Sequence, residues 1–137
     1  MTHTGVVAAP IDIGALEVLI QTPSAGAVVQ FIGRVRDHDH ERPVTSLEYE
    51  AHPDASQTLS ELTDKIADQY SGTRIVAVHR IGTLNIGDAA LVVMVSAAHR
   101  QEAFEACSSL VEEIKGSLPI WKLQTYRDGT QEWVNCL

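Results

Sequence analysis

Nine consecutive residues, 89–97 (AALVVMVSA), carry no charge, and a single serine breaks their apolar character. A run this short and this rich in valine reads as a β-strand, and one without polar alternation must be buried on both faces. Such a strand belongs at the centre of a sheet with layers on either side, so the rest of the chain has to supply those layers.

Most of the neighbouring segments fit that demand. Residues 11–21 (IDIGALEVLIQ) read as a short helix that Thr22-Pro23 ends. Gly26 opens AVVQFIGRV, a β-branched and aromatic strand. The polar stretch RDHDHERP reads as a loop, and VTSLEYEAH alternates like a half-exposed strand. A helix is predicted from Pro53-Asp54 to about Tyr70, with Leu59, Leu62 and Ile66 at helical spacing. RIVAVHRIG is a third strand, and Thr83 to Asp88 form a turn around Gly87. After the central run, residues 100–115 form a helix with Ala103, Cys107, Leu110 and Ile114 on one stripe. Pro119 forces the exit into a last strand, IWKLQTY, before the Asp128-Gly129 turn and the closing EWVNCL. The predicted order, α-β-β-α-β-β-α-β, lacks regular βαβ alternation. It points to an α+β fold, with helices over a mostly antiparallel sheet, and to one domain spanning residues 1–137.

Charge narrows the function. The net charge of -8 speaks against a nucleic-acid or membrane surface, both of which need a broad basic face. No Gly-rich phosphate motif follows a strand, which disfavours familiar nucleotide binding. The N-terminus has no basic, long-apolar leader and no segment reaches membrane-spanning length, so a cytoplasmic location is expected. Cys107 lies on the helix stripe and reads as core, while Cys136 has nothing nearby to activate it; two cysteines make no disulfide framework.

Against this acidic background, positive charge gathers between Ser96 and Lys122. The chain has three lysines, and Lys115 and Lys122 bracket one turn, KGSLPIWK. Lys115 falls on the rim of the helix stripe, beside Val111 and Phe104, where its stem can pack while its amine reaches a cleft. Lys122 shares a strand face with Ile120 and Gln124. Burial or neighbouring cations free such an amine for chemistry; the plainer alternative is a lysine complementing the helix dipole and another exposed on a strand. His99 and Arg100 start the helix, a place that already favours anions, and together resemble a phosphate or carboxylate clamp. An unremarkable capping histidine and surface arginine would look the same. Arg34 and Arg36 lie on one face at a strand end. His38 and His40 form an isolated H-x-H, weak as a metal site without further ligands, and His79 reads as a satisfied structural histidine.

The stretches GAVVQFIGRVRDHD, LEYEAHP, VAVHRIGTLNIGDAALVVMVSAAHRQEAFEA and KGSLPIWK, in this order and spacing, resemble the large, catalytic subunit of molybdopterin synthase. That resemblance implies an α/β hammerhead fold with an additional small antiparallel β subdomain, assembled as a homodimer within a heterotetramer. The partner it implies is a small ubiquitin-like sulfur-carrier subunit. Its thiocarboxylated C-terminus enters the large subunit's pocket and gives its sulfur to cyclic pyranopterin monophosphate, forming the molybdopterin dithiolene without a metal or organic cofactor. By the same resemblance Lys115 is the leading catalytic residue and Lys122 assists it. Arg36, His99 and Arg100 match the substrate phosphate pocket, partly completed across the dimer, and Phe31 and Pro119 through Trp121 shape its walls. Many relatives carry an acidic residue where Gln124 stands, which weakens electrostatic support for a charged Lys122. Competing possibilities are a non-catalytic relative that binds an anion or the partner, and a metal hydrolase built on the loop histidines.

Overall fold

The computed structural model describes residues 1–135; Cys136 lies outside them. Residues Ala89–Ala97 form strand β7, at an interior position of a four-stranded sheet of order β1-β5-β7-β2. The flanking strands are β1 (Thr2–Val7), β2 (Ala27–Arg34) and β5 (Arg74–Arg80). Only the β1–β5 pairing is parallel.

The absence of alternation in β7 has the expected cause. Val93 and Val95 face one layer, with Ile75 and Ala77 of β5, against helices α2 (Ala55–Gln69) and α3 (Arg100–Ser117). Val92 and Met94 face the other, with Val76 and Val78, against Leu16 and Ile20 of α1 (Ile13–Ile20). The period of two thus sends alternate valines into two separate cores. Helix α1 starts where the Asp12 side chain accepts the Ala15 N–H at 3.1 Å, a conventional N-cap.

A second, antiparallel sheet carries β3 (His38–Asp39), β4 (Arg42–Ala51), β8 (Ile120–Tyr126) and β9 (Gln131–Asn135) in that order, with β6 (Gly82–Asn85) on the other side of β4. Leu47, Tyr49, Leu84, Ile120 and Tyr126 from this sheet join the same buried cluster as α2 and α3, so the two sheets share a core.

The α+β arrangement and its principal elements match the sequence expectation, with several differences, among them β9, a further strand beyond the one expected to be last. The chain begins with β1, a strand that THTGVV does not announce, because one glycine and two threonines dilute its pattern and its partner β5 is far away in sequence. The predicted loop at RDHDHERP is a tight β3–β4 hairpin whose tip, His40 and Glu41, takes positive φ (48° and 69°), the geometry of a type I′ turn. Finally, part of the predicted turn after β5 is the short strand β6, stabilised by pairing with β4.

Candidate functional site

Chain direction assembles the site. Strand β2 and helix α3 both run antiparallel to β7, and α3 packs on both strands. The C-terminal end of α3, with Lys115, therefore reaches the end of the sheet where β2 leaves through Arg34 and Arg36. A β-bulge at Gly33/Arg34 re-aims that exit, and a hydrogen bond from Arg34 Nη1 to the Gly87 carbonyl, 2.9 Å, ties it to the turn after β6.

The exit meets one face of the second sheet. Register places Tyr49 opposite Lys122 and Leu47 opposite Gln124. These four side chains, with Arg34, Val35, Arg36, His38, Asp39 and Val44, line a narrow pocket. Three cations surround one carboxylate there, an excess of positive charge in a chain of net charge -8. Asp39 lies 3.9 Å from Arg36 and 3.6 Å from His40, so the hairpin histidines sit among aspartates at the pocket edge. Among the described residues, no group of three His, Cys, Asp or Glu side chains converges as metal ligands would.

The lysines divide clearly. Lys65 is ion-paired with Glu113 at 3.0 Å, bracing α2 against α3. Lys115 and Lys122 have no acidic partner within ion-pair distance among the described residues. Lys115 is exposed on the stripe of α3 that carries Phe104, Ser108 and Val111. Those three residues, with Val29, Gln30, Phe31, Cys107 and Glu112, line an apolar groove between β2 and α3. Phe31 thus belongs to the groove beneath the Lys115 stripe and not to the Lys122 pocket.

Comparison with known proteins gives the family and the fold. The sequence profile described as "MoaE protein" matches residues 6–117. The molybdopterin synthase catalytic subunit 1 of Mycobacterium tuberculosis is 40% identical over 126 residues, covering 91% of this chain and 85% of that protein. The chain belongs to the MoaE family. Among solved structures, the crystal structure of molybdopterin synthase from Staphylococcus aureus superposes with a TM-score of 0.88 at 36% identity, covering 94% of each chain. A complex of subunits 1 and 2 of the Helicobacter pylori molybdopterin-converting factor gives a TM-score of 0.78, covering 96% of this chain and 89% of that one; at 19% identity it shows the shared fold alone.

In this MoaE family member His99 is the N-cap of α3 and Arg100 its first residue, both exposed. The helical rise separates Arg100 from Lys115 by about 22 Å. A single copy of the chain therefore does not bring His99 and Arg100 to the lysines. Trp121 alternates with Lys122 on β8, so its ring faces away from the pocket and meets His52 edge-on at 6.5 Å. Pro119 accepts the His52 N–H through its carbonyl at 2.9 Å. Pro119 and Trp121 form a separate surface on the far side of β8.

Tyr49, Gln124 and His79 gain importance in and behind the pocket. Tyr49 is one wall, and the Leu47/Tyr49 alternation in LEYEAH is the pattern that marks it as inward-facing. Gln124 is 2% exposed, and its Oε1 has no hydrogen-bond partner among the described residues. His79 is 1% exposed, edge-on to Tyr49 at 5.1 Å, and its Nδ1 lies 2.7 Å from the Arg80 carbonyl. A carbonyl only accepts, so Nδ1 carries the proton and the ring is a fixed neutral tautomer. This agrees with the structural role expected for His79.

Burial pushes the His79 pKa from 6.5 down to about 4; the Arg80 carbonyl opposes the shift and the charge of Lys115 adds to it. A depressed folded-state pKa means that the unfolded chain binds this proton first. The stabilisation is complete above pH 6.5 and is lost as pH falls through about 4. At about 1.36 kcal/mol per pH unit, on the order of 3 kcal/mol is at stake. Denaturant unfolding of wild type and His79→Gln at pH 7 and pH 4 is expected to show their stability difference shifting by that amount against wild type. A difference independent of pH would show that His79 is not buried neutral.

Among the described residues no helix is long and apolar enough to cross a membrane.

Proposed function

We propose that this chain is the catalytic subunit of a molybdopterin synthase. It takes sulfur from the thiocarboxylated C-terminus of a small ubiquitin-like carrier subunit and places it on cyclic pyranopterin monophosphate. One observation carries this reading: Lys122, Arg34 and Arg36 converge on one pocket, at the end of the sheet that Lys115 also reaches, in a MoaE family chain.

The chemistry follows from the charges. A thiocarboxylate is anionic, and a positively charged pocket draws it in and holds its carbonyl. When sulfur leaves, the acyl group ends as a carboxylate, with water supplying the oxygen. That exchange needs an amine that takes up or delivers protons, or accepts the acyl group for a time; Lys115 has that role. Lys122 and Arg36 stabilise charge as it moves from sulfur to oxygen. The helix start at His99-Arg100 suits the substrate phosphate. Because it lies about 22 Å from Lys115 along one helix, it serves the lysine pocket of a second copy. The working assembly is a homodimer with one carrier on each large subunit, a heterotetramer. Phe31, Pro119 and Trp121 contribute walls where the subunits meet. Residues 1–137 act as one domain, in the cytoplasm, with no nucleic acid, membrane or bound cofactor involved.

Reconstitution tests this proposal. Purified chain mixed with thiocarboxylated small subunit and the pterin phosphate is expected to yield molybdopterin, and Lys122→Ala to yield far less. Stable carrier binding with no product from the wild-type chain would overturn it in favour of a binding-only relative.

A further inference from the structure

We propose that Gln124 is a positioning residue that accepts a hydrogen bond from the last peptide N–H of the incoming C-terminal tail, while Lys122 and Arg36 hold the tail's terminal carboxyl group. The inference deepens the proposed function and rests on it.

It starts from an unmade bond. Buried side-chain acceptors are nearly always paired, so an orphan in a pocket wall calls for an explanation. Gln124 is 2% exposed, and its Oε1 lacks a partner among the described residues. Two of the pocket's donors are directed elsewhere: Arg34 bonds the Gly87 carbonyl and Arg36 leans towards Asp39. With three cations around the pocket, the oxygen end of the amide is the end that favours this side.

The pocket then describes its ligand. Cations require an anion, and a neutral acceptor beside them requires an adjacent N–H donor. A peptide C-terminus has both, since the last residue's N–H stands next to its carboxyl group, and capture of such ends is a recurrent recognition mode. Lys122 and Gln124 project from the same face of β8 about 7 Å apart along the strand, a spacing that long side chains close easily. The cavity, ≈ 50 Å³, is far smaller than the roughly 300–1,000 Å³ that drug-sized ligands occupy, so a slender chain end fits where a fused-ring pterin does not. A carboxylate at position 124 would also accept the N–H, but it would repel the neighbouring carboxyl group. An amide avoids that conflict.

Two forms of the small subunit test the proposal, both with an ordinary carboxylate end so that no turnover occurs. One is native; in the other the last peptide bond is an ester, which deletes a single N–H. Wild-type chain is expected to bind the ester form about five- to tenfold more weakly, the worth of one hydrogen bond. Gln124→Leu is expected to bind both forms equally. Loss of fold in that variant, seen by circular dichroism, would weaken both forms together, and the wild-type comparison of the two forms then decides alone. Equal binding of the two forms by wild type, or an unchanged ratio in Gln124→Leu, overturns the proposal alone. If Arg36→Ala and Lys122→Ala bind the native form as tightly as wild type, the tail does not enter this pocket. The site assignment then fails and takes the Gln124 contact with it.

Discussion

Replacing Lys115 with alanine is expected to lower molybdopterin formation by about 10²- to 10⁴-fold, the range that a positioned acid or base contributes. The fold should be untouched. Lys115 is exposed near the end of α3 and holds no ion pair among the described residues, and surface changes of that kind usually stay within about 0.5 kcal/mol. Carrier binding should survive as well, because Lys122, Arg34 and Arg36 remain in place. Lys65→Ala is the control. It removes the exposed Glu113 ion pair, worth at most about 1 kcal/mol, and should leave the rate near wild type. Steady-state product formation checks both variants, and near-normal turnover by Lys115→Ala would remove its catalytic role.

The second large effect is expected in the core beneath that lysine. Leu110 is fully buried in the α3 stripe. Leu110→Ala should cost about 3 kcal/mol and lower Tm by roughly 10 °C, since the cavity closes only in part. Total stability of a domain is about 5–15 kcal/mol, so the loss is substantial without unfolding the chain. Because α3 carries Lys115, turnover should fall as its seat loosens, more than carrier affinity does. Phe104→Ala, on the exposed flank of the same helix, should change stability far less. Thermal unfolding separates the two, and equal costs would contradict the assignment of the buried stripe.

What the sequence disclosed follows the range of the interactions. The central strand was legible because burial on both faces erases alternation, a signal contained within Ala89–Ala97 itself. The α3 stripe was legible for the same reason, since its period lies within one segment. Strand β1 was not, because its place comes from parallel pairing with a distant β5, and neither was β6, which exists through its pairing with β4. The candidate site shows the same division. Lys115, Lys122 and Arg36 stood out as residue types, and the structure places Arg36 and Lys122 in one pocket. His99 and Arg100 also stood out, but helix length parts them from Lys115, a distance that local charge patterns do not reveal. Gln124 was visible only as an amide where relatives carry an acid. Its burial and unpaired oxygen depend on β4 lying across from it, which residue order does not show.

In the proposed reaction, sulfur moves from a carrier's C-terminus to a pterin at the lysine end of α3. Its most direct test is stoichiometric: thiocarboxylate lost from the carrier, followed by mass spectrometry, against molybdopterin formed. Two thiocarboxylates consumed for each dithiolene, with consumption dependent on Lys115 and on the pterin, is the predicted result. Thiocarboxylate loss that proceeds at the same rate without pterin, or carrier that stays intact in the complete mixture, would contradict the claim.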